Sequence, residues 1–195
     1  MSAGEQARWD ERYASGDYRP GSDHSSVVDE VAGLAREGRA LVLACGAGRN
    51  ALFLASRGFE VDAIDISSVA IDMARAEAIR RDLSVNWQVA DLDDLDPGEG
   101  RCDVITMIRY TNRAIWPRLV AALAVDGWLV MEQHLRTRHD VAGPSNEFRL
   151  APGELLDAFG DLRVIRYTEE HGESPTSGRM VATATLLACN GDPGW

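Results

Sequence analysis

The stretch that most constrains this chain is Leu41-Val42-Leu43-Ala44-Cys45-Gly46-Ala47-Gly48-Arg49-Asn50. Apolar and small residues run straight into Gly-x-Gly, and the helical pattern Ala51-Leu52-Phe53-Leu54-Ala55 follows at once. This order predicts a buried strand, a tight turn and a helix. Residues without a Cβ let the backbone turn sharply and let a ligand approach the main chain. The helix that starts there presents unpaired N–H groups to an anionic or polar ligand. A lone Gly-x-Gly is weak evidence, and its plain alternative is a turn that binds nothing. What strengthens it is downstream: an acidic residue closes each of the next two predicted strands.

Around this stretch, strand and helix patterns alternate. Residues 1–39 read as a helical extension or lid. A helix over 5–14 carries Trp9 and Tyr13 four apart, hence on one face. Residues 16–22 are a turn-rich break, after which Ser22 or Asp23 caps a second helix whose apolar stripe is Val27, Val28, Val31 and Leu34 or Ala35. A main domain then spans 40–190, with a short tail at 191–195. Its first strand is 40–44, and the helix after it ends near Arg57-Gly58, where the glycine suits a cap. A strand over 60–64 closes on Asp65. Ser67 or Ser68 then caps a helix with Val69, Met73 and Ala76 on one side.

A third strand, 85–90, closes on Asp91 and leads into an acid-rich loop. The fourth, 103–108, is almost wholly apolar, as central parallel strands are. Ile115, Leu119 and Leu123 mark a helix that tolerates Pro117 in its first turn. A fifth strand covers 127–134, a polar loop 136–149, and a short helix 154–160. Strands at 163–169 and 180–189 have no helix between them and should pair antiparallel. The expected architecture is α/β: a doubly wound sheet, mostly parallel, with an antiparallel C-terminal end.

A length of 195 residues suits one main domain with a substantial core. The net charge of −11 argues against sequence-independent binding to nucleic acid or anionic membranes, which need a basic face. Cys45, Cys102 and Cys189 are widely spaced in apolar contexts, which supports neither a disulfide framework nor zinc, and no His/Asp/Glu set has metal-ligand spacing. With no apolar leader or membrane-length run, the expectation is a cytoplasmic protein.

In such a sheet, ligands sit outside the carboxyl ends of the strands where the strand order reverses. Gly46-Ala47-Gly48, Asp65 and Asp91 all fall there. A carboxylate is an acceptor-only group, suited to the two hydroxyls of a ribose at the second strand and to a purine's exocyclic amine at the third. Each has a structural alternative: Asp65 caps the following turn, and Asp91 opens a loop where one more Asp is unremarkable.

Taken together the motifs resemble the class I S-adenosylmethionine-dependent methyltransferases, and within them the small single-domain branch that includes tellurite-resistance-type enzymes. The resemblance rests on Trp9-Asp10-Glu11-Arg12-Tyr13, on Ala44-Cys45-Gly46-Ala47-Gly48-Arg49-Asn50 and on Ala63-Ile64-Asp65-Ile66-Ser67. It continues in Ala90-Asp91-Leu92, Arg109-Tyr110-Thr111-Asn112-Arg113 and Pro152-Gly153-Glu154-Leu155-Leu156. It implies a Rossmann-like, seven-stranded sheet and S-adenosyl-L-methionine as cofactor. It further implies Gly46, Ala47, Gly48 and Asn50 around the methionine part, Asp65 with Ile66 at the ribose, and Asp91 with Leu92 at the adenine. One departure stands out: the family's acidic residue in the first strand is Val42 here.

The expected reaction is methyl transfer to a small-molecule acceptor. Arg109 and Tyr110, where strand four turns polar, should face the reactive methyl and touch both cofactor and acceptor, with His134 or Glu132 nearby. Arg109 has its own alternative, an ion pair with an acid of the loop after Asp91. Methyl transfer from a sulfonium to sulfur, selenium or tellurium needs little acid–base help, so the lack of a catalytic dyad fits an enzyme. Two other readings compete. Gly46-Ala47-Gly48-Arg49-Asn50-Ala51 with Asp65 also fits an NAD-dependent oxidoreductase. Val42 favours a degenerate methyltransferase fold that binds a ligand without catalysis.

Overall fold

The computed structural model describes residues 3–16, 23–174 and 178–195. The expected cap Ser22 and most of the expected turn at 16–22 lie outside them. Two helices precede the sheet, α1 (Ala3–Ser15) and α2 (Ser26–Leu34). The rest runs β1 (Arg39–Leu43), α3 (Arg49–Ser56), β2 (Glu60–Asp65), α4 (Ser68–Arg80), β3 (Asn86–Val89), β4 (Cys102–Ile108), α5 (Trp116–Ala122), β5 (Leu123–His134), α6 (Glu154–Ala158), β6 (Arg163–Glu173) and β7 (Met180–Cys189). The strands form one seven-stranded sheet in the order β3-β2-β1-β4-β5-β7-β6. β1 to β5 are parallel, while β7 runs antiparallel to both β5 and β6. The doubly wound expectation holds, including the antiparallel end. The nicotinamide alternative gains nothing, because the second half of the sheet lacks the sixth parallel strand of a dinucleotide fold.

Alternation along the central strands sorts the core into two layers. Val42, Val104 and Val130 face α2 and α3 with Val27, Val28, Val31, Ala51 and Leu54. Leu41, Leu43, Ile105, Met107, Leu129 and Met131 face α5 and α6 with Leu119, Leu155 and Phe159. Both faces of β1 and β4 are thus covered, which is why these strands read as unbroken apolar runs. Winding reverses between β1 and β4, so their carboxyl ends bound a crevice. No helix among the described residues is long and apolar enough to cross a membrane.

Three local expectations are corrected. The N-cap of α2 is Ser25 rather than Ser22 or Asp23, and its hydroxyl makes no cap bond; it donates instead to Glu132 Oε2 at 3.3 Å. Ala35, half-buried, completes that helix's apolar side, while Leu34 is exposed. On α4 the buried stripe is Ala70, Ile71, Ala74 and Ala78, with Met73 and Ala76 turned to solvent. Small side chains let this helix lie close to the sheet, and a Cβ on Gly48 would come within 2.9 Å of Ala74 Cβ. Finally, α5 stops at Ala122 and Leu123 already belongs to β5, pairing with Cys102. An apolar residue fills the same core from a strand as from a helix, so periodicity could not separate the two.

Candidate functional site

The crevice at the carboxyl ends of β1, β2 and β4 is lined by Ala44, Asp65, Ile66, Leu92, Ile108, Arg109 and Tyr110, and α1 closes it from above with Trp9 and Tyr13. Its floor is the glycine turn. Cys45 N donates to Ile64 O at 3.0 Å and Gly48 N to Cys45 O at 3.0 Å, which binds the turn to β2 and onto itself. Gly46 (φ 56°) and Gly48 (φ 85°) both occupy the left-handed region. A Cβ on Gly46 would sit 2.6 Å from the Tyr13 hydroxyl, and one on Gly48 2.6 Å from the Trp87 ring. The first glycine therefore opens space toward the crevice, and the second lets α3 and β3 approach.

Asp65 is the buried carboxylate of the site. Oδ2 accepts from Gly46 N at 2.8 Å and Oδ1 from Ser67 N at 2.9 Å. Burial raises its pKa, and these two N–H donors oppose the rise. One side chain thus holds both the glycine turn and the entry to α4, and still has lone pairs for a ligand in the crevice. Leu92 and Ile66 give that ligand apolar walls.

Two residues of the crevice have left-handed backbones without being glycine, Ala44 (φ 48°) and Arg109 (φ 61°). Such residues cost about 1–3 kcal/mol each and cluster at functional sites. Arg109 ends β4, where its N–H donates to Glu132 O at 2.6 Å and its Nε to Glu132 Oε1. Its partner is thus Glu132 of β5, not an acid of the loop after Asp91. Tyr110 lies beside it, and burial pushes its phenol pKa up. Neither backbone strain nor the Glu132 pairing has a signal in the sequence.

The other expected site residues lie outside this lining. Ala47 is half-buried in the glycine turn. Asn50 is buried and turned toward α2, where its Oδ1 accepts from Ser25 N at 2.9 Å. Asp91 Oδ1 accepts from Asp93 N at 2.9 Å, the turn-capping bond open to it from the start. Val42 is buried in the apolar layer, in register with Ala63 and Thr106. His134 stands at the end of β5, its Nδ1 buried without a partner and next to Gly143. Burial, Arg109 and Arg149 hold its pKa down at about 4, so it is neutral and a weak base near pH 7. The three cysteines are free.

A residue the chemistry of the sequence passed over stands on α1. Asp10 accepts from Ser67 Oγ at 2.7 Å, Ser68 Oγ at 3.3 Å and Val69 N at 3.2 Å. Burial raises its pKa, but the hydrogen bonds from Ser67, Val69 and Ser68 outweigh that and hold it below the ordinary value. Its only sequence signal is its place between Trp9 and Tyr13.

Comparison with known proteins agrees with this geometry. Residues 40–127, from β1 into β5, match the methyltransferase domain family. The probable S-adenosyl-L-methionine-dependent methyltransferase TehB of Haemophilus influenzae is 25% identical over 190 residues, covering 91% of this chain; the chain spans 66% of TehB's length. The crystal structure of TehB from that organism superposes with a TM-score of 0.77 at 24% identity, over 92% of this chain and 66% of that one. A structure solved for the conversion of a disulfide bond into a thioacetal group during echinomycin biosynthesis has a TM-score of 0.71 at 24% identity, covering 95% and 93% of the two chains. A methyltransferase structure from Methanosarcina mazei also reaches 0.71, at 17% identity over 87% of this chain and 99% of that one. With this strand order, this domain and these relatives, the chain carries a methyltransferase domain on a Rossmann-like fold and resembles the class I S-adenosylmethionine-dependent methyltransferases, the tellurite-resistance type among them.

Proposed function

We propose that the chain is an S-adenosyl-L-methionine-dependent methyltransferase acting on a small-molecule acceptor. The observation that carries this reading is the meeting of Asp65, Ile66, Leu92, Arg109 and Tyr110 in one crevice over the Gly46 turn. These residues fit the cofactor: a buried carboxylate with spare lone pairs, apolar walls for a base, and a turn kept free of Cβ atoms. In this assignment Asp65 accepts from the ribose hydroxyls, Ile66 and Leu92 flank the adenine, and the Gly46-Ala47-Gly48 turn receives the amino-acid end. Bound there, the cofactor supplies an electrophilic methyl on a sulfonium.

The protein's part is then to bind, orient and exclude water. Trp9 and Tyr13 close the crevice so far that it encloses only about 60 Å³, well below the roughly 300–1,000 Å³ of ligand pockets. That supports α1 as a lid that shifts to admit ligand, with 40–190 as the catalytic domain and 191–195 as a tail. Arg109 and Tyr110 meet the acceptor. Arg109 is restrained by Glu132, so its charge stays off the sulfonium and is available to a carboxylate or oxyanion on the acceptor's far side. No base is poised at the crevice among the described residues: His134 is weakly basic and Glu132 is engaged. This supports an acceptor that needs no deprotonation, such as a sulfur, selenium or tellurium nucleophile. Three free thiols and a net charge of −11 fit a cytoplasmic enzyme that binds neither nucleic acid nor membrane.

The test is calorimetry with S-adenosylmethionine, S-adenosylhomocysteine and NAD. Binding of the first two and not the third is expected. Asp65→Ala should weaken S-adenosylhomocysteine at least tenfold, since hydrogen bonds to a charged acceptor are worth about 1.5–3 kcal/mol. Binding of NAD alone would overturn the assignment, and unchanged affinity in a folded Asp65→Ala protein would remove this residue from the site.

A further inference from the structure

We propose that Asp10 is the positioning residue of the site, a latch that seats α1 over the crevice and is coupled to Asp65 through Ser67. The argument starts with what α4 needs. Ser67 already caps that helix by itself, its Oγ accepting from Ala70 N at 3.1 Å. Asp10 is therefore not required to start α4. Its carboxylate accepts the Ser67 hydroxyl proton at 2.7 Å, the Ser68 hydroxyl at 3.3 Å and Val69 N at 3.2 Å. What these three bonds add is the attachment of α1. The carboxylate also lies at the positive end of a 13-residue helix, where a negative charge is favoured.

Trp9 and Tyr13 flank Asp10 on α1, with ring centroids 6.2 Å apart, and both line the crevice. The Tyr13 hydroxyl lies against Gly46. Fixing Asp10 on α4 thus fixes the two rings that cover the glycine turn. α1 on its own has 13 residues, a length that is marginal as an isolated helix in water. Its docking depends on such contacts.

Ser67 is the shared atom set. Its hydroxyl donates to Asp10 and its N–H donates to Asp65 Oδ1 at 2.9 Å. Two carboxylates are thereby drawn to one residue, and their like charges oppose each other. Hydroxyl donors from a ribose on Asp65 would spread that charge and ease the repulsion, so ligand binding and closure of α1 favour each other. By reciprocity, a seated lid raises affinity for the ligand. The coupling rests on the cofactor reading above; the latch does not.

Hydrogen exchange on the full chain, without and with saturating S-adenosylhomocysteine, tests both. Asp10→Ala should speed exchange across α1 roughly tenfold or more, the effect of losing charge-assisted bonds. The central strands and α4 should keep wild-type protection, and the ligand's dissociation constant should rise by a similar factor. Asp10→Asn, which keeps an acceptor oxygen, should fall between. Ser68→Ala, which removes only the longest bond, should have the smallest effect. In wild type the ligand should slow α1 further, and in Asp10→Ala it should not. Unaltered α1 exchange in Asp10→Ala overturns the latch. A ligand that binds wild type and leaves α1 exchange unchanged overturns the coupling. No binding to wild type sinks the cofactor reading instead, and the ligand-free comparison still decides the latch.

Discussion

Thr106 and His134 show how single side chains carry costs in this fold. Thr106 Oγ1 is buried on β4 without a hydrogen-bond partner, in register with Val42 and Val130. An unmade buried bond costs about 1–3 kcal/mol, and valine has nearly the same shape. Thr106→Val should therefore raise the melting temperature by about 2–4 °C, the equivalent of about 1 kcal/mol in a chain of this size. A calorimetric scan showing a lower melting temperature would mean that the hydroxyl has a partner in solution. His134 titrates near 4 in the fold, below its ordinary 6.5. Between those values the unfolded chain binds the proton more readily, so stability falls as pH drops from about 6.5 to 4. The shift is worth on the order of 3 kcal/mol at most. His134→Gln should flatten the melting temperature against pH within that window; an unchanged slope would place the pH dependence elsewhere.

Among the elements, the loop at 136–149 has the most unusual construction. Its ends meet where Leu135 bridges Leu150. Its hub is Arg149, only 7% exposed, whose guanidinium donates to the carbonyls of Pro144 (2.8 Å), Val141 (3.3 Å), Ala142 (3.4 Å) and Leu135 (3.4 Å). A buried cation served by carbonyl oxygens folds the loop around itself beside His134. Arg149→Met should cost about 2–3 kcal/mol, as bonds to charged groups do, and should open the loop to proteolysis before the rest of the domain. A chain cut no faster than wild type would show that the loop is held by other contacts. Arg113 anchors the next segment in a similar way, paired with Glu154 and donating to Arg149 O at 3.1 Å. Burial and pairing thus consume most of the cations on this side, leaving Arg109 as the arginine that lines the crevice.

At the scale of the whole molecule, a ligand that spans β1, β2 and the loop after β3 ties separate elements together and should stabilise the native state by mass action. At a hundredfold excess over its dissociation constant the gain is about 2.7 kcal/mol, or roughly 5–11 °C in melting temperature. Thermal shift with S-adenosylhomocysteine measures it, and no shift at concentrations where calorimetry reports saturation would contradict a ligand bound to the native fold alone. The sequence by itself determined the strand-and-helix alternation, the glycine turn and the acid that ends β2. Those features are local: periodicity, the absence of a Cβ and the residue that closes a strand can be read along the chain. It did not determine where Leu123 ends α5 and begins β5, which side of α4 is buried, or that Arg109 pairs with Glu132. Nor did it separate Asp10 from its neighbours in a helix, or reveal that Asn50 faces Ser25. Each of those depends on which distant residue the fold brings into contact, and burial energy and hydrogen bonds across 23 to 59 residues of chain decide it.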